Sequence, residues 1–366
     1  MQSSPSTARS EAHRKAFDVV GLYGDPSVAW SIMLVAELHA PGSPDDYRAG
    51  LAALVAKSPD CGPPPSWDVV DEDAWQAQLH TMGTRLYVET EPLVRGASTA
   101  DGRFVAVAAH HGVVDGLGLL ALMGALTGED LRSGVRGVDP SSADRSSFLG
   151  NAVKHVGSAL VRPPRRFRAV DPDKSRAGEW LVARNLPKGI DSSRLIAASC
   201  RALEQWGATG GRRNPVAVAV GASRRSGDAP APDRDTVLLR LVGSDFTDPV
   251  TVRNQLRAAT PEPDSPTTSA GGIGPLVAKA LAGRLGSTVL VSNLGIIEGS
   301  QRIERLWLYP AVNGPCGVAV GSLTVDGKAT LTVRVARRDF SSAAAERLTE
   351  TFVQAIESVS AQQRAR

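Results

Sequence analysis

Cysteine is scarce in this sequence. The chain has 366 residues and only three cysteines, Cys61, Cys200 and Cys316, which stand far apart. An odd number of isolated cysteines argues against a disulfide framework and against a paired-cysteine metal site. We therefore expect a fold that is held by packing rather than by cross-links, in a reducing compartment, the cytoplasm.

A strong net charge and long apolar runs are also missing. The 41 Lys and Arg residues nearly balance the 38 Asp and Glu residues, so the charge of +3 does not imply a nucleic-acid partner. No apolar run approaches the ~18 residues that a membrane span needs. The N-terminus contains basic residues but lacks the apolar stretch of a secretory signal. We expect residues 1–15 to form a flexible tail, with the ordered chain beginning near Ala16.

The sequence has enough apolar material for a sizeable core. Hydrophobic residues make up 42% of the chain although aromatic residues make up only 5%. A length of 366 residues suits about two domains or one two-lobed unit. Composition therefore indicates a globular protein and excludes collagen-like or wholly disordered chains.

Strand-like and helix-like patterns mix in both halves of the chain. Helices are predicted after the N-cap Ser43, after Gly118, over 192–206 and near the C-terminus through Val359. Strands are predicted over 31–38, Leu86–Glu91, Arg103–Ala109, Val216–Val220, Thr236–Val242, Thr288–Ser292, Cys316–Val325 and Ala329–Ala336, the last two joined by the hairpin signal Asp326-Gly327. The absence of regular βαβ alternation favours the α+β class over a doubly wound parallel sheet.

The stretch RPPRRFRAVDPDKSR, residues 162–176, interrupts this pattern. It is rich in proline and arginine and poor in apolar residues, which is typical of a solvated crossover linker. The alternative is a basic patch for a phosphate-bearing donor or a carrier protein, formed by Arg162, Arg165, Arg166 and Arg168.

One motif stands far above chance. His110-His111-x-x-x-Asp115-Gly116 lies within FVAVAAHHGVVDGLGLL, and a shuffled chain of this composition would contain about 6 × 10⁻⁴ copies of such a pattern. The motif follows a predicted strand and precedes a predicted helix. Neighbouring strand residues point to opposite faces, so the two histidines do not suit one metal ion, and no third ligand has a suitable spacing.

One imidazole should therefore face a cleft while the other packs. A neutral imidazole can take the proton of a hydroxyl or amine that attacks a carbonyl. We expect His111 to be this base and His110 to be structural. Asp115 can cap the next helix or pair with an arginine, and Gly116 permits a sharp turn.

HHGVVDG resembles the HHxxxDG signature of the chloramphenicol-acetyltransferase-like superfamily. This superfamily includes condensation domains, wax-ester synthases, polyketide-associated acyltransferases and the plant BAHD enzymes, whose DFGWG motif is absent here. STVLVSNLG, from Ser287 to Gly295, is similar to a strand that borders the acyl tunnel in some members. VAVAVGASRRS, from Val216 to Ser226, occupies the place of a strand that ends in arginine.

The resemblance implies an α+β fold of two similar lobes with mixed sheets and an active-site channel between them. His111 would be the catalytic general base, Asp115 would pair with Arg224 or Arg225, with Arg224 slightly preferred, and Ser292 and Asn293 would donate hydrogen bonds near the oxyanion. The implied organisation is a tail (1–15), a first lobe with the motif (16–161), a crossover linker (162–180) and a second lobe (181–366).

The implied activity is acyl transfer in specialised metabolism, forming an ester or an amide and moving groups other than amino-acyl groups. The co-substrate would be an acyl thioester of CoA or of phosphopantetheine on an acyl or peptidyl carrier protein, with no bound cofactor. The acceptor would be a small molecule, and a monomer without a membrane span is expected. Two alternatives stay open, namely an enzyme that uses the same base for cyclisation, epimerisation or dehydration, and a non-catalytic member that recruits a partner.

Overall fold

The computed structural model describes residues 11–17, 28–88, 90–138, 163–172, 177–211, 213–262, 286–312 and 317–364. Its helices are α1 (residues 11–17), α2 (Pro44–Lys57), α3 (Trp75–Thr84), α4 (Gly116–Thr127), α5 (Ser192–Trp206), α6 (Pro249–Ala258) and α7 (Ser342–Arg364). Its strands are β1 (Ser31–Leu38), β2 (Ser66–Val70), β3 (Val94–Thr99), β4 (Phe104–His110), β5 (Arg132–Ser133), β6 (Arg166–Phe167), β7 (Glu179–Leu186), β8 (Ala208–Thr209), β9 (Val216–Ser223), β10 (Thr236–Gly243), β11 (Val289–Glu298), β12 (Ile303–Tyr309), β13 (Val318–Val325) and β14 (Lys328–Ala336).

Two mixed sheets organise these elements. The first has the strand order β12-β1-β4-β3-β2, and the second has the order β10-β9-β11-β13-β14-β7 with β5 added to β11. In the first sheet only β2 and β3 run parallel, and in the second β11 runs parallel to both β9 and β13. The fold is therefore α+β with one mixed sheet in each lobe, as the irregular order of elements predicts.

Apolar faces explain how the helices cover the sheets. In the second lobe, α5 and α7 bury one face of the large sheet through residues such as Leu195, Leu203 and Phe352. In the first lobe, α2 and α4 cover one face of the smaller sheet, and α3 covers the other through Trp75 and Leu79. The buried faces of α2, α5 and α7 are those that the apolar spacing predicts, and no prediction covers α3.

The two lobes are interlocked by strand β12. It belongs to the second half of the chain, yet it pairs with β1 at the edge of the first sheet. The buried hydroxyls of Thr330 and Thr332 in β14 donate hydrogen bonds to the carbonyl oxygens of Leu306 and Leu308 in β12. An edge strand is thus satisfied by side chains of the other sheet.

One predicted strand differs from the structure. The predicted strand Leu86–Glu91 is a loop with Leu86 and Val88 exposed, and the strand lies instead at Val94–Thr99. Tyr87 in this loop is buried. The pattern resembles that of a strand because Tyr87 is buried between two exposed residues, and a loop can bury one aromatic side chain in the same way.

The ordered chain also begins earlier than predicted. Residues 11–17, most of which were expected in the tail 1–15, are helical and bury Ala12 and Ala16. The crossover 162–180 is not solvated throughout, because Arg165 and Phe167 are buried and β7 already begins at Glu179. Residues 1–10, Arg162 and Cys316 lie outside the described residues. Among the described residues, no helix is both long and apolar enough to cross a membrane.

Candidate active site

The motif lies where the chain leaves β4 and enters α4. His110 ends the strand, and its main-chain N–H donates to the Leu93 carbonyl at 2.9 Å. The N–H of His111 donates to the Trp30 carbonyl at 2.8 Å, which extends the pairing with β1 by one residue. The two histidines therefore occupy successive positions on a strand end and point to opposite faces.

His110 points into packing. Its ring contacts those of Phe17 and Tyr87, each with a centroid separation of 5.2 Å, and 2% of the residue is exposed. Its Nδ1 accepts a hydrogen bond from the N–H of Gly112 at 3.0 Å. Burial, assisted by the charges of His111 and Arg95, lowers the pKa of His110 to about 3. The residue is a neutral, structural imidazole.

This lowered pKa predicts an acid-sensitive fold. His110 takes up a proton near its ordinary pKa of 6.5 when unfolded but only near about 3 when folded. Stability is therefore greatest above about pH 6.5 and falls by about 1.4 kcal/mol per pH unit toward pH 3. Urea unfolding of the wild type and of His110→Asn should show about 2 kcal/mol less pH dependence in the variant between about pH 7 and pH 5. Equal slopes in the two proteins would contradict a buried neutral His110.

The His111 ring is held by one main-chain contact. Its Nδ1 lies 3.1 Å from the Val114 carbonyl oxygen, which can only accept, so Nδ1 carries the proton and Nε2 has the free lone pair. Burial and then the charge of Arg234 lower the pKa of His111, and the Val114 hydrogen bond and Asp115 offset part of this effect. The imidazole is therefore neutral at physiological pH, with its tautomer chosen by a main-chain carbonyl.

Asp115 joins the two lobes. Its Oδ1 caps α4 by accepting from the N–H of Gly118 at 2.8 Å and also accepts from Arg225 Nη2 at 2.9 Å. Its Oδ2 accepts from the N–H of Asp235 and from Thr236 Oγ1, both at 3.0 Å. The carboxylate is 1% exposed. All four of these hydrogen bonds go to the motif loop or to the second lobe, and none of them involves the His111 ring.

The arginine that pairs with Asp115 is Arg225, which corrects the slight preference for Arg224. Arg224 lies 3.7 Å from the Asp235 carboxylate instead. Its main-chain N–H bonds to the Asp235 carbonyl, whereas the N–H of Arg225 turns back to Ser223 Oγ. β9 ends at Ser223, and these main-chain bonds show that the chain turns between the two arginines, so that only the second one reaches the motif.

The glycines of the motif allow close approach. Gly116 is the first residue of α4 and does not form the sharp turn that was expected. A Cβ there would lie 3.0 Å from Leu294 of the second lobe, and one at Gly118 would lie 2.6 Å from the Asp233 carbonyl oxygen. A Cβ at Gly112 would lie 2.3 Å from the Ala16 carbonyl oxygen of α1. A side chain larger than hydrogen does not fit at Gly112 and Gly118, because backbone of two other segments packs there, and at Gly116 it would press on the Leu294 side chain.

Ser292 and Asn293 lie on β11 and face opposite sides of the large sheet. The Asn293 amide donates to the Ile190 carbonyl at 2.8 Å, just before α5, and its oxygen accepts from the Gly295 N–H. Ser292 is partly exposed on the other face, beside Gly221 of β9. A role in oxyanion binding stays a prediction for both residues, and Ser292 is the one whose side chain is not held on the α5 side.

Other groups at the site carried no signal in the sequence. Trp30, Thr236 and Arg234 are far from the motif along the chain and match no pattern. They act through a carbonyl, a hydroxyl and a charge that only the fold brings near. Among the described residues, no group of three or more His, Cys, Asp or Glu side chains could hold a metal ion.

The sequence matches no family model and no curated protein. The structure, in contrast, resembles solved condensation domains and acyltransferases over nearly its full length. The first condensation domain of the calcium-dependent antibiotic synthetase has a TM-score of 0.58 and 15% identity, with 94% of both chains covered. Trichothecene 15-O-acetyltransferase from Fusarium sporotrichioides has a TM-score of 0.58 and 10% identity, with 93% of both chains covered.

The wax ester synthase/diacylglycerol acyltransferase from Marinobacter aquaeolei has a TM-score of 0.52 and 13% identity, with 94% of this chain and 98% of that chain covered. The fold predicted from the HHxxxDG resemblance is thereby confirmed. At these identities the likeness establishes the fold alone. The reaction has to be inferred from the residues of the site.

Proposed function

We propose that this chain, which has the two-lobed fold of condensation domains and acyltransferases, transfers an acyl group from a thioester to a hydroxyl or amine. The observation that carries the proposal is the contact between His111 Nδ1 and the Val114 carbonyl oxygen, which requires a proton on Nδ1 and so leaves Nε2 free to accept one. A base of this kind suits acyl transfer because the attacking group must lose a proton as it adds to the carbonyl.

In this reaction, His111 Nε2 takes the proton of the acceptor while the acceptor oxygen or nitrogen forms a bond to the thioester carbon. The resulting imidazolium is stabilised by the hydrogen bond from Nδ1 to the Val114 carbonyl. Collapse of the tetrahedral intermediate breaks the carbon–sulfur bond, and Nε2 returns the proton to the leaving thiolate. Proton and charge balance without an acyl-enzyme.

The cysteines of the described residues support direct transfer. Cys61 and Cys200 are buried, and burial raises the pKa of each thiol to about 12. Neither is a thiolate at neutral pH, and only a thiolate would attack a thioester efficiently. The donor would be acyl-CoA or a carrier-bound phosphopantetheine thioester. Arg165 does not contribute to a donor patch, because it is buried against Glu204.

The experiment compares small-molecule extracts by mass spectrometry. A host that lacks the gene is complemented with the wild type, with His111→Ala, or with His39→Ala, whose imidazole is exposed and remote from the motif. We expect a product restored by the wild type and by His39→Ala only, and its mass increment over the acceptor names the acyl group. A product of unchanged mass but altered stereochemistry would favour epimerisation. Equal restoration by His111→Ala would favour recruitment without catalysis.

The charge of Arg234 gives a further prediction. Because this cation lowers the pKa of His111, Arg234→Gln should raise it. A base works only when it is neutral, so the acid limb of the pH profile of kcat/KM should move to higher pH in the variant. Thiol release from the donor measures the profile, and Arg213→Gln, an exposed arginine elsewhere in the second lobe, is the control. An unmoved acid limb would show that another group titrates.

A further inference from the structure

Arg334 is the largest fully buried side chain of the described residues. It lies on β14 in the second lobe and pairs with Glu179 of β7. Its remaining N–H groups donate to the main-chain carbonyls of Ser31, Gly83 and Pro310. Such a set of acceptors uses the guanidinium as a planar fork that lysine could not replace.

These contacts join the second lobe to the first. Ser31 begins β1, Gly83 lies in α3 and Pro310 follows β12, so all three carbonyls belong to elements of the first sheet or its helical cover. Removing a buried arginine from water is costly. Apolar packing alone could hold the two lobes together, so a buried Arg334 at their contact points to a role in fixing the positions of the segments that it binds.

Ser31, which accepts from Arg334, is one residue from Trp30, whose carbonyl accepts the main-chain N–H of His111. Ser31 is paired with His110, and the preceding Trp30 accepts the N–H of His111. Trp30 has φ of +52°, a conformation that bulky residues rarely adopt. Such a conformation persists only when its surroundings hold it. Here Ser31 is held on both sides, because its carbonyl accepts from Arg334 and its hydroxyl donates to the Met82 carbonyl at 3.0 Å.

We propose that Arg334 is a positioning residue for His111, acting through Ser31 and the strained Trp30. This inference rests on the proposed function of His111 as the base. The second lobe would then hold the motif at both ends, through Arg225 on Asp115 and through Arg334 on the strand that His111 extends. The catalytic geometry would depend on both lobes being docked.

The test removes Arg334 without leaving a buried charge. In Arg334→Met/Glu179→Met both charges disappear together, and such replacements often preserve stability. Arg334→Lys keeps the charge but loses the fork. The control is Arg165→Met/Glu204→Met, which removes another buried arginine, in the crossover segment, that bonds to Glu204 at 2.5 Å. Each variant is assayed for thermal unfolding, for kcat and KM, and for the ¹⁵N spectrum of the His111 ring, assigned with His111→Ala.

We expect kcat to fall about 10–100-fold in both Arg334 variants, because a small displacement of a catalytic group has this effect, while KM and the control variant change little. The His111 ring, observed at about pH 8 where it is neutral, should show a single Nδ1–H tautomer in the wild type and a mixture in the variants. Wild-type kcat and a single tautomer in a folded Arg334 variant would overturn the proposal.

The spectrum requires no substrate and separates two failures. If His111→Ala keeps full activity, the proposed function fails, but the tautomer of the variants still decides whether Arg334 positions the ring. If the double variant does not fold, Arg334→Lys carries the same measurement, and an unchanged ring in that variant refutes the role.

Discussion

Replacing His111 by alanine is expected to lower kcat/KM by about 10²–10⁴-fold, the contribution of a positioned general base. The acceptor would still bind, but no group would take its proton as it attacks the thioester. Because the imidazole is partly exposed and bonds only to the Val114 carbonyl among the described side-chain contacts, its removal should barely change the unfolding temperature. The loss should therefore appear in turnover and not in folding.

Two further measurements make this result specific. Imidazole added to His111→Ala should restore part of the rate, because it can occupy the vacated space and supply the missing nitrogen. His111→Gln should not be rescued, because the amide fills that space and is not basic. A variant that keeps the wild-type rate, or that loses it together with its cooperative unfolding, would refute the assignment of His111 as the base.

Replacing Asp115 by alanine is expected to destabilise the protein by about 3–5 kcal/mol, the usual effect of breaking a buried ion pair from one side. The substitution leaves Arg225, whose side chain is 16% exposed, paired only with the Asp233 carboxylate of its own lobe. It also removes the acceptor for Gly118, Asp235 and Thr236. Activity should fall with stability, because the same loop carries His111.

A double-mutant cycle with Arg225→Ala identifies the source of this effect. The free energies of unfolding of the two single variants should not add, because each removes the same pair. Arg224→Ala is the matched control. Its side chain is 32% exposed and its Nη1 lies 3.7 Å from the Asp235 carboxylate, so its loss should change stability by less than about 1 kcal/mol. A larger effect from Arg224 than from Arg225 would reverse the assignment.

Different groups orient the His111 ring and link the motif to the second lobe, although one carboxylate could do both. The carbonyl that selects the His111 tautomer is neutral and lies only three residues along the chain. Asp115 accepts four hydrogen bonds, three of them from the second lobe. The hydrogen-bond partner of the His111 ring is thereby local, while the position of the motif depends on the second lobe.

Local patterns in the sequence determined the parts of this protein that need only neighbouring residues. The strand before the motif, the cap at Asp115, the helix Ser192–Trp206 and the hairpin at Asp326-Gly327, where both residues have positive φ, could all be predicted. Each rests on spacing or on a turn residue, and those constraints act over a few positions. The opposite facing of His110 and His111 follows from the same strand geometry.

Only the tertiary structure decided the contacts between distant segments. The choice of Arg225 over Arg224 depended on where the chain turns after β9, and a pattern of two adjacent arginines does not contain that information. The strand β12 joined the other lobe because an unpaired edge of the first sheet was available to it. The link from Arg334 to Ser31 spans 303 residues. Its acceptors are main-chain carbonyls, and because every residue has one, the sequence does not indicate which carbonyls an arginine will bind.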